Sequence, residues 1–311
     1  MKTRIVFLDY ARIITAFLVV FTHMFSITSS ERLYVFAFHM PLFFIVSGML
    51  HKGKTLLLST KKLFNSIIIP IMIFMVYGVL FDILLHHDVS VIKTNLIDAY
   101  NSIEPRSNAV VWFLFTLMWV KIYMLIINNV KPIYIVILWV ISLIITKRFN
   151  HFYMGNGVMA LPFYYLGFIL KDILLRIKER SIIQLCAIFI LFCIGTFMLT
   201  RYNGKVSMAA IHFGKIPFLN VFIFYLNGFV GTVMIFVLSS FLKKSYNIIN
   251  LTSNALISIL GFQFPMYMFF LDKLGYNGRY MEKVFISIFV MVVCTCLHYI
   301  ITKPIMKYVR I

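Results

Sequence analysis

Charge is scarce in this chain, and acid is scarcer still. Only 13% of the residues are charged, and ten of the 311 are Asp or Glu, where a soluble domain carries roughly a quarter charged residues. With a 62% hydrophobic content and a mean hydropathy of +0.95, that scarcity excludes a soluble globular protein and indicates a polytopic membrane protein. Cysteine is sparse too. Cys186, Cys193, Cys294 and Cys296 all fall in apolar segments. The last two point in different directions, being about 200° apart around a helix, so the four read as small packing residues and not as a disulfide or metal site. The sequence does not open on a short apolar stretch followed by a small-residue cleavage site, so its first segment reads as a retained helix and not a signal peptide. Internal repeats and low-complexity tracts are also missing.

What the chain has instead is long apolar runs. Segments of about 17–25 such residues predict an all-α polytopic membrane protein of ten transmembrane helices. They lie near 5–26, 34–51, 63–85, 109–128, 133–147, 157–171, 181–200, 217–241, 255–272 and 283–303. Residues 1–311 then form one integral-membrane domain with no separate soluble unit. An even number of spans puts both termini on one side. Loops on that side hold sixteen Lys and Arg against eleven on the other, which predicts cytoplasmic termini. A net charge of +19 raises the question of nucleic acid, but the basic residues sit in short loops between apolar runs. That placement reads as topology and contact with anionic lipid.

The longest connections, near 86–108 and 201–216, fall on the predicted outer side. They carry His86, His87, Asp88, Asp98, Glu104, Arg106, Arg201 and His212, and polar loops on one face of a membrane enzyme are places to meet a polar acceptor. The adjacent His86 and His87 do not share a helix face, which favours a solvated loop over a metal site. Pro70, Pro162, Pro217 and Pro265 lie in or beside apolar segments, where they start or kink helices.

The first apolar run carries the chemistry. Arg12 and His23 lie in it eleven residues apart, which is about three turns plus 20°, so they share one helix face. Asp9 lies three residues before Arg12, within pairing reach. An ionisable group within a bilayer is costly and marks a functional site with a partner. Arg12 and His23 are about 16 Å apart along a regular helix, too far to act on one atom.

These residues resemble a known family. Leu8-Asp9-Tyr10-Ala11-Arg12 with His23 is similar to the first helix of the acyltransferase-3 family of integral membrane O-acyltransferases. Phe38-His39-Met40-Pro41-Leu42-Phe43-Phe44-Ile45-Val46-Ser47-Gly48 is the most specific run of the resemblance. Fainter similarities follow at Lys61-Lys62-Leu63-Phe64 through Pro70, Val111-Trp112-Phe113-Leu114, Leu161 through Phe168, Gly261 with Tyr267, and Lys303-Pro304. One departure stands out: relatives often carry a histidine after the tyrosine where this chain reads Tyr267-Met-Phe-Phe-Leu-Asp272.

The resemblance implies transfer of an acyl group, usually acetyl from acetyl-CoA, to a sugar hydroxyl. Acceptors would be bacterial surface glycans such as O-antigen, enterobacterial common antigen or capsule, or a lipid-linked precursor, at the bacterial cytoplasmic (inner) membrane. Acyl-CoA is then a donor substrate, with no permanently bound cofactor. A hydroxyl is a weak nucleophile, so transfer needs a general base and positive charge at the developing oxyanion. His23 is the expected base, or in a variant mechanism the carrier of a covalent acyl group. Arg12, braced by Asp9, is expected to bind a phosphate or carbonyl of CoA.

Substrate contacts are expected at His39, Ser47, Lys52, Lys61, Lys62 and Trp112, each with a structural alternative. In those alternatives His39 orients the first helix, Ser47 with Gly48 lets helices approach closely, and Trp112 serves as packing or an interface anchor. Lys52, Lys61 and Lys62 mark a cytoplasmic loop or draw in the CoA phosphates. The competing class is a flippase of lipid-linked sugar, which often shows symmetry between halves; none is visible here. A glycosyltransferase would want an acidic motif in a large outer loop, and Asp98 and Glu104 are isolated.

Overall fold

The structure is a computed structural model, described here over residues 4–51, 60–61, 63–87, 89–105, 107–127, 136–137, 139–142, 150–216, 219–270 and 278–309. Lys52, Lys62, Asp88, Arg106, Pro217 and Asp272 lie outside these residues, as does most of the predicted span near 133–147. Among the described residues the chain is helical, apart from one isolated bridge between Ser207 and His212.

The helices are α1 (Val6–His23), α2 (Ser30–Phe36), α3 (His39–Met49), α4 (Ile69–His86), α5 (Val91–Tyr100), α6 (Val111–Ile127) and α7 (Met154–Ile169). They continue as α8 (Lys171–Leu175), α9 (Ile182–Asn203), α10 (Asn220–Ser240), α11 (Asn247–Asn254), α12 (Leu256–Met268), α13 (Tyr280–Leu297) and α14 (Lys303–Tyr308). Among the described residues six helical stretches are long and apolar enough to cross a membrane: α1, α2–α3, Phe64–His86, α9, α10 and Tyr280–Tyr308. Two bent pairs, α7 with Lys171–Glu179 and α11 with α12, each turn by 69° and bring the number to as many as eight; α6 is a shorter apolar helix. The chain is therefore an all-α, multi-pass membrane protein.

α1 stands inside the bundle, against α2, α3, α10, α11, α12 and α13. Its two threonines satisfy themselves in place. Thr15 donates to the Ala11 carbonyl at 2.8 Å and Thr22 to the Leu18 carbonyl at 2.7 Å, which removes the cost of burying a free hydroxyl in an apolar medium. α9 is the opposite case. Only 11% of it is buried, against 72% of α2–α3, so its isoleucines and phenylalanines form an outer, lipid-facing wall.

α3 and α7 pack backbone against backbone. Each offers a glycine to the other: a Cβ on Gly48 would overlap the Tyr164 carbonyl, and one on Gly167 would overlap the Ile45 carbonyl. Small residues permit such approach where helix association relies on van der Waals contact. The obstructing atoms are main chain and cannot rotate away. Gly167→Ala is therefore expected to destabilise the protein by about 1–3 kcal/mol, read as a lower unfolding temperature in detergent; an unchanged temperature would contradict this packing.

The cysteines divide. Cys294 is buried and Cys193 partly so, as packing residues would be, whereas Cys186 and Cys296 are exposed on the helix surface. Pro162 and Pro265 sit inside α7 and α12, and Pro70 lies at the start of α4.

Candidate active site

Asp9 organises the N-terminal half of α1. It is 4% exposed and takes ion pairs from both Arg4 and Arg12. The Ser253 hydroxyl on α11 donates to it at 2.6 Å, and Arg12 donates to that same hydroxyl at 2.9 Å. One carboxylate thus compensates two guanidinium groups, and Ser253 ties the cluster to a helix 244 residues further along the chain. Arg12 keeps a second face. It borders a cavity of about 300 Å³ that is also bordered by Ser47, His51, Ser66, Lys121 and Tyr164 and, among the described residues, by no acidic side chain. The expected Asp9–Arg12 brace is present, and it leaves Arg12 available to a ligand.

α1 is helical without interruption from Val6 to His23. The spacing of about 16 Å between Arg12 and His23 along a regular helix therefore applies. His23 is the last residue of α1 and borders a second cavity, of about 500 Å³, together with Arg32, His39, Glu104, Trp112 and Tyr267. Its ring lies 5.9 Å from those of Phe36 and Tyr267, centroid to centroid. Gln263 of α12 lies beside it. Among the described residues His23 Nδ1 and Gln263 Oε1 are both buried with no hydrogen-bond partner, one able to donate and the other to accept.

His39 starts α3. A carbonyl can only accept, so the 3.0 Å contact with the Val35 carbonyl assigns the proton to His39 Nδ1 and leaves Nε2 as an acceptor. Arg32 donates to the Phe25 carbonyl at 3.1 Å, and its guanidinium stands 4.8 Å over the Phe36 ring. Glu104 lies on the connection before α6. Desolvation raises its carboxyl above the ordinary range, and the positive charges of Arg32 and Lys205 pull the other way.

Both long connections help to build this second cavity. Glu104 comes from the first, and Val206 through Ala209 from the second. Asn156 of α7 holds the latter by donating to the Met208 and Ala209 carbonyls, both at 2.7 Å. Asn95 and Ser107 are hydrogen-bonded across the former. His86 pairs with Asp82 at 2.6 Å, one turn back on α4.

The expected site residues therefore separate into two groups. Arg12 and Ser47 border the first cavity; His23, His39 and Trp112 border the second. Lys61 is exposed and borders neither, and Lys52 and Lys62 lie outside the described residues. Sequence reasoning missed Ser253, Lys121, Arg32 and Gln263. Lys121 and Gln263 had a readable signal, each being a polar side chain within an apolar segment. Ser253 had none, since only the fold brings it to Asp9.

A family model described as an acyltransferase domain matches residues 5–302. No curated protein matches the chain, and neither does any solved structure.

Proposed function

Because this chain belongs to the acyltransferase-3 family, we propose that it transfers an acetyl group from acetyl-CoA to a hydroxyl of a bacterial surface glycan or its lipid-linked precursor, within the inner membrane. The observation that carries this reading is the pair of cavities distributed along α1, one at Arg12 and one at His23. An acyl-CoA is a long donor with its anionic phosphates at one end and its thioester at the other. The first cavity offers the guanidinium of Arg12, which suits phosphate. The second offers a base and a separate cation.

In the second cavity the acceptor hydroxyl loses its proton to His23 as its oxygen attacks the thioester carbon. The tetrahedral oxyanion forms near Arg32, whose charge stabilises it. Collapse breaks the carbon–sulfur bond, and the CoA thiolate leaves with the proton held by His23. Gln263 Oε1 accepting from His23 Nδ1–H would leave Nε2 with the lone pair that a base requires. Arg32 takes the oxyanion role because Arg12 borders the other cavity. The basic N-terminal side of α1 is cytoplasmic in this reading, so the donor enters from the cytoplasm and the sugar from the side of the two long connections.

Mass spectrometry of surface glycan from cells with and without the gene tests the assignment. Loss of an acetyl mass at unchanged chain length is expected; a shortened or missing polymer would point to a flippase and overturn it. Arg12→Lys keeps the charge but loses the bidentate fork. It is expected to weaken acetyl-CoA binding about tenfold or more, in line with the roughly 1.5–3 kcal/mol of a charged hydrogen bond. Binding indistinguishable from the parent would remove Arg12 from the donor site.

A further inference from the structure

Among the described residues, Phe113 and Leu260 are the two whose side chains border both cavities. Each is 5% exposed, so the pair is buried where the lining of the Arg12 side meets the lining of the His23 side. Phe113 belongs to α6, where its ring lies 5.8 Å from that of Phe43 and 5.3 Å from that of Phe44. Leu260 belongs to α12, one residue before Gly261.

The frame around the pair is fixed by Asn108, just before α6. Its amide donates to the Gly261 carbonyl at 2.8 Å and to the Phe74 carbonyl at 3.1 Å. The backbone carrying Phe113 is thereby tied to the backbone carrying Leu260. Gly261 itself has no room for a Cβ against the Phe74 ring. The helices cannot part at this point without breaking those bonds, whereas rotation of two side chains breaks none of them. Rotation of that kind opens a gap of limited width.

We propose that Phe113 and Leu260 form a side-chain gate that selects the donor by acyl length, admitting acetyl from the Arg12 cavity to His23 and excluding longer chains. The proposal rests on the acyltransferase reading above. In a hydrophobic passage one extra methylene changes selection by about 10–200-fold, so residue size at the gate should be visible directly in donor preference.

The test uses membranes containing the full chain and its native acceptor, with CoA release followed for acetyl-, butyryl- and hexanoyl-CoA. Binding of each donor to purified protein is measured alongside. The parent protein should prefer acetyl-CoA over butyryl-CoA in turnover by at least about tenfold, while binding both. Phe113→Ala should raise the butyryl-to-acetyl turnover ratio by a similar factor. Leu260→Phe should narrow the passage, lowering acetyl turnover about tenfold with acetyl-CoA binding and unfolding temperature retained, and it decides the matter if the alanine variant fails to fold. Equal turnover of acetyl- and hexanoyl-CoA by the parent, or an unchanged donor ratio in a folded Phe113→Ala and unchanged acetyl turnover in Leu260→Phe, would overturn the gate. A parent protein that binds no acyl-CoA would instead overturn the acyltransferase reading beneath it.

Discussion

His23→Ala lowers acyl transfer by about 10²–10⁴-fold, the usual contribution of a positioned general base, while leaving acetyl-CoA binding intact. The expectation follows from where the side chain sits. His23 closes the last turn of α1 and borders a cavity that also holds Arg32 and His39, and it lies well away from the Asp9 cluster at the proposed donor end. Removing the imidazole therefore takes away the proton acceptor without touching the proposed phosphate contacts. The measurement is turnover and donor affinity on the same preparation, with surface glycan acetylation in cells as the in vivo counterpart. Turnover near the parent value would mean that another group, such as His39 Nε2, takes the proton. Gln263→Leu provides the graded comparison: it leaves the imidazole in place but removes its neighbour, so turnover should fall by less than in His23→Ala.

Asp9→Ala acts on stability more than on chemistry. The carboxylate is buried and faces Arg4, Arg12 and Ser253. Taking one partner from a buried ion pair costs about 3–5 kcal/mol, because the remaining charge stays desolvated and uncompensated. Here the loss leaves two guanidinium groups, of which Arg12 is the more enclosed. The expected outcome is a sharply reduced yield in the membrane and a lower unfolding temperature. Asp9→Asn keeps the shape and one acceptor oxygen, so it should fall between the two. Thermal unfolding of the three proteins in one detergent gives the comparison. An Asp9→Ala protein as stable as the parent would show that Arg4 and Arg12 find other compensation.

The membrane architecture and the shared face of α1 were legible because they depend on local pattern. Apolar runs declare spans by length, and a fixed helical repeat places Asp9, Arg12 and His23 on one face without any knowledge of the fold. Gly48 was likewise readable as a close-approach residue, though its counterpart Gly167 was visible only as part of a family-like run. What could not be read was which distant groups meet that face. Ser253 reaches Asp9 from 244 positions away, and the Asn108 bridge joins three separate segments through backbone carbonyls, which leave no trace in side-chain identity. Arg32 is instructive in another way. It counted as one more loop charge, and became a candidate for the oxyanion only when α2 folded back over the end of α1. The basic patch shows the reverse: Lys61, chosen for its charge, is exposed and lines neither cavity.

The uninterrupted course of α1 makes the helix a ruler. It fixes a span of about 16 Å along its axis between the group proposed to anchor phosphate and the group proposed to take the proton. A donor must carry its anionic and acyl ends that far apart to satisfy both. Acetyl phosphate, in which the two ends adjoin, can engage either end but not both at once. An acetyl thioester on a short thiol reaches His23 with nothing to hold at Arg12. A preference for a nucleotide-tailed thioester over activated acetyl groups of similar intrinsic reactivity would, in the proposed reading, be a property of length, set by one unbroken helix.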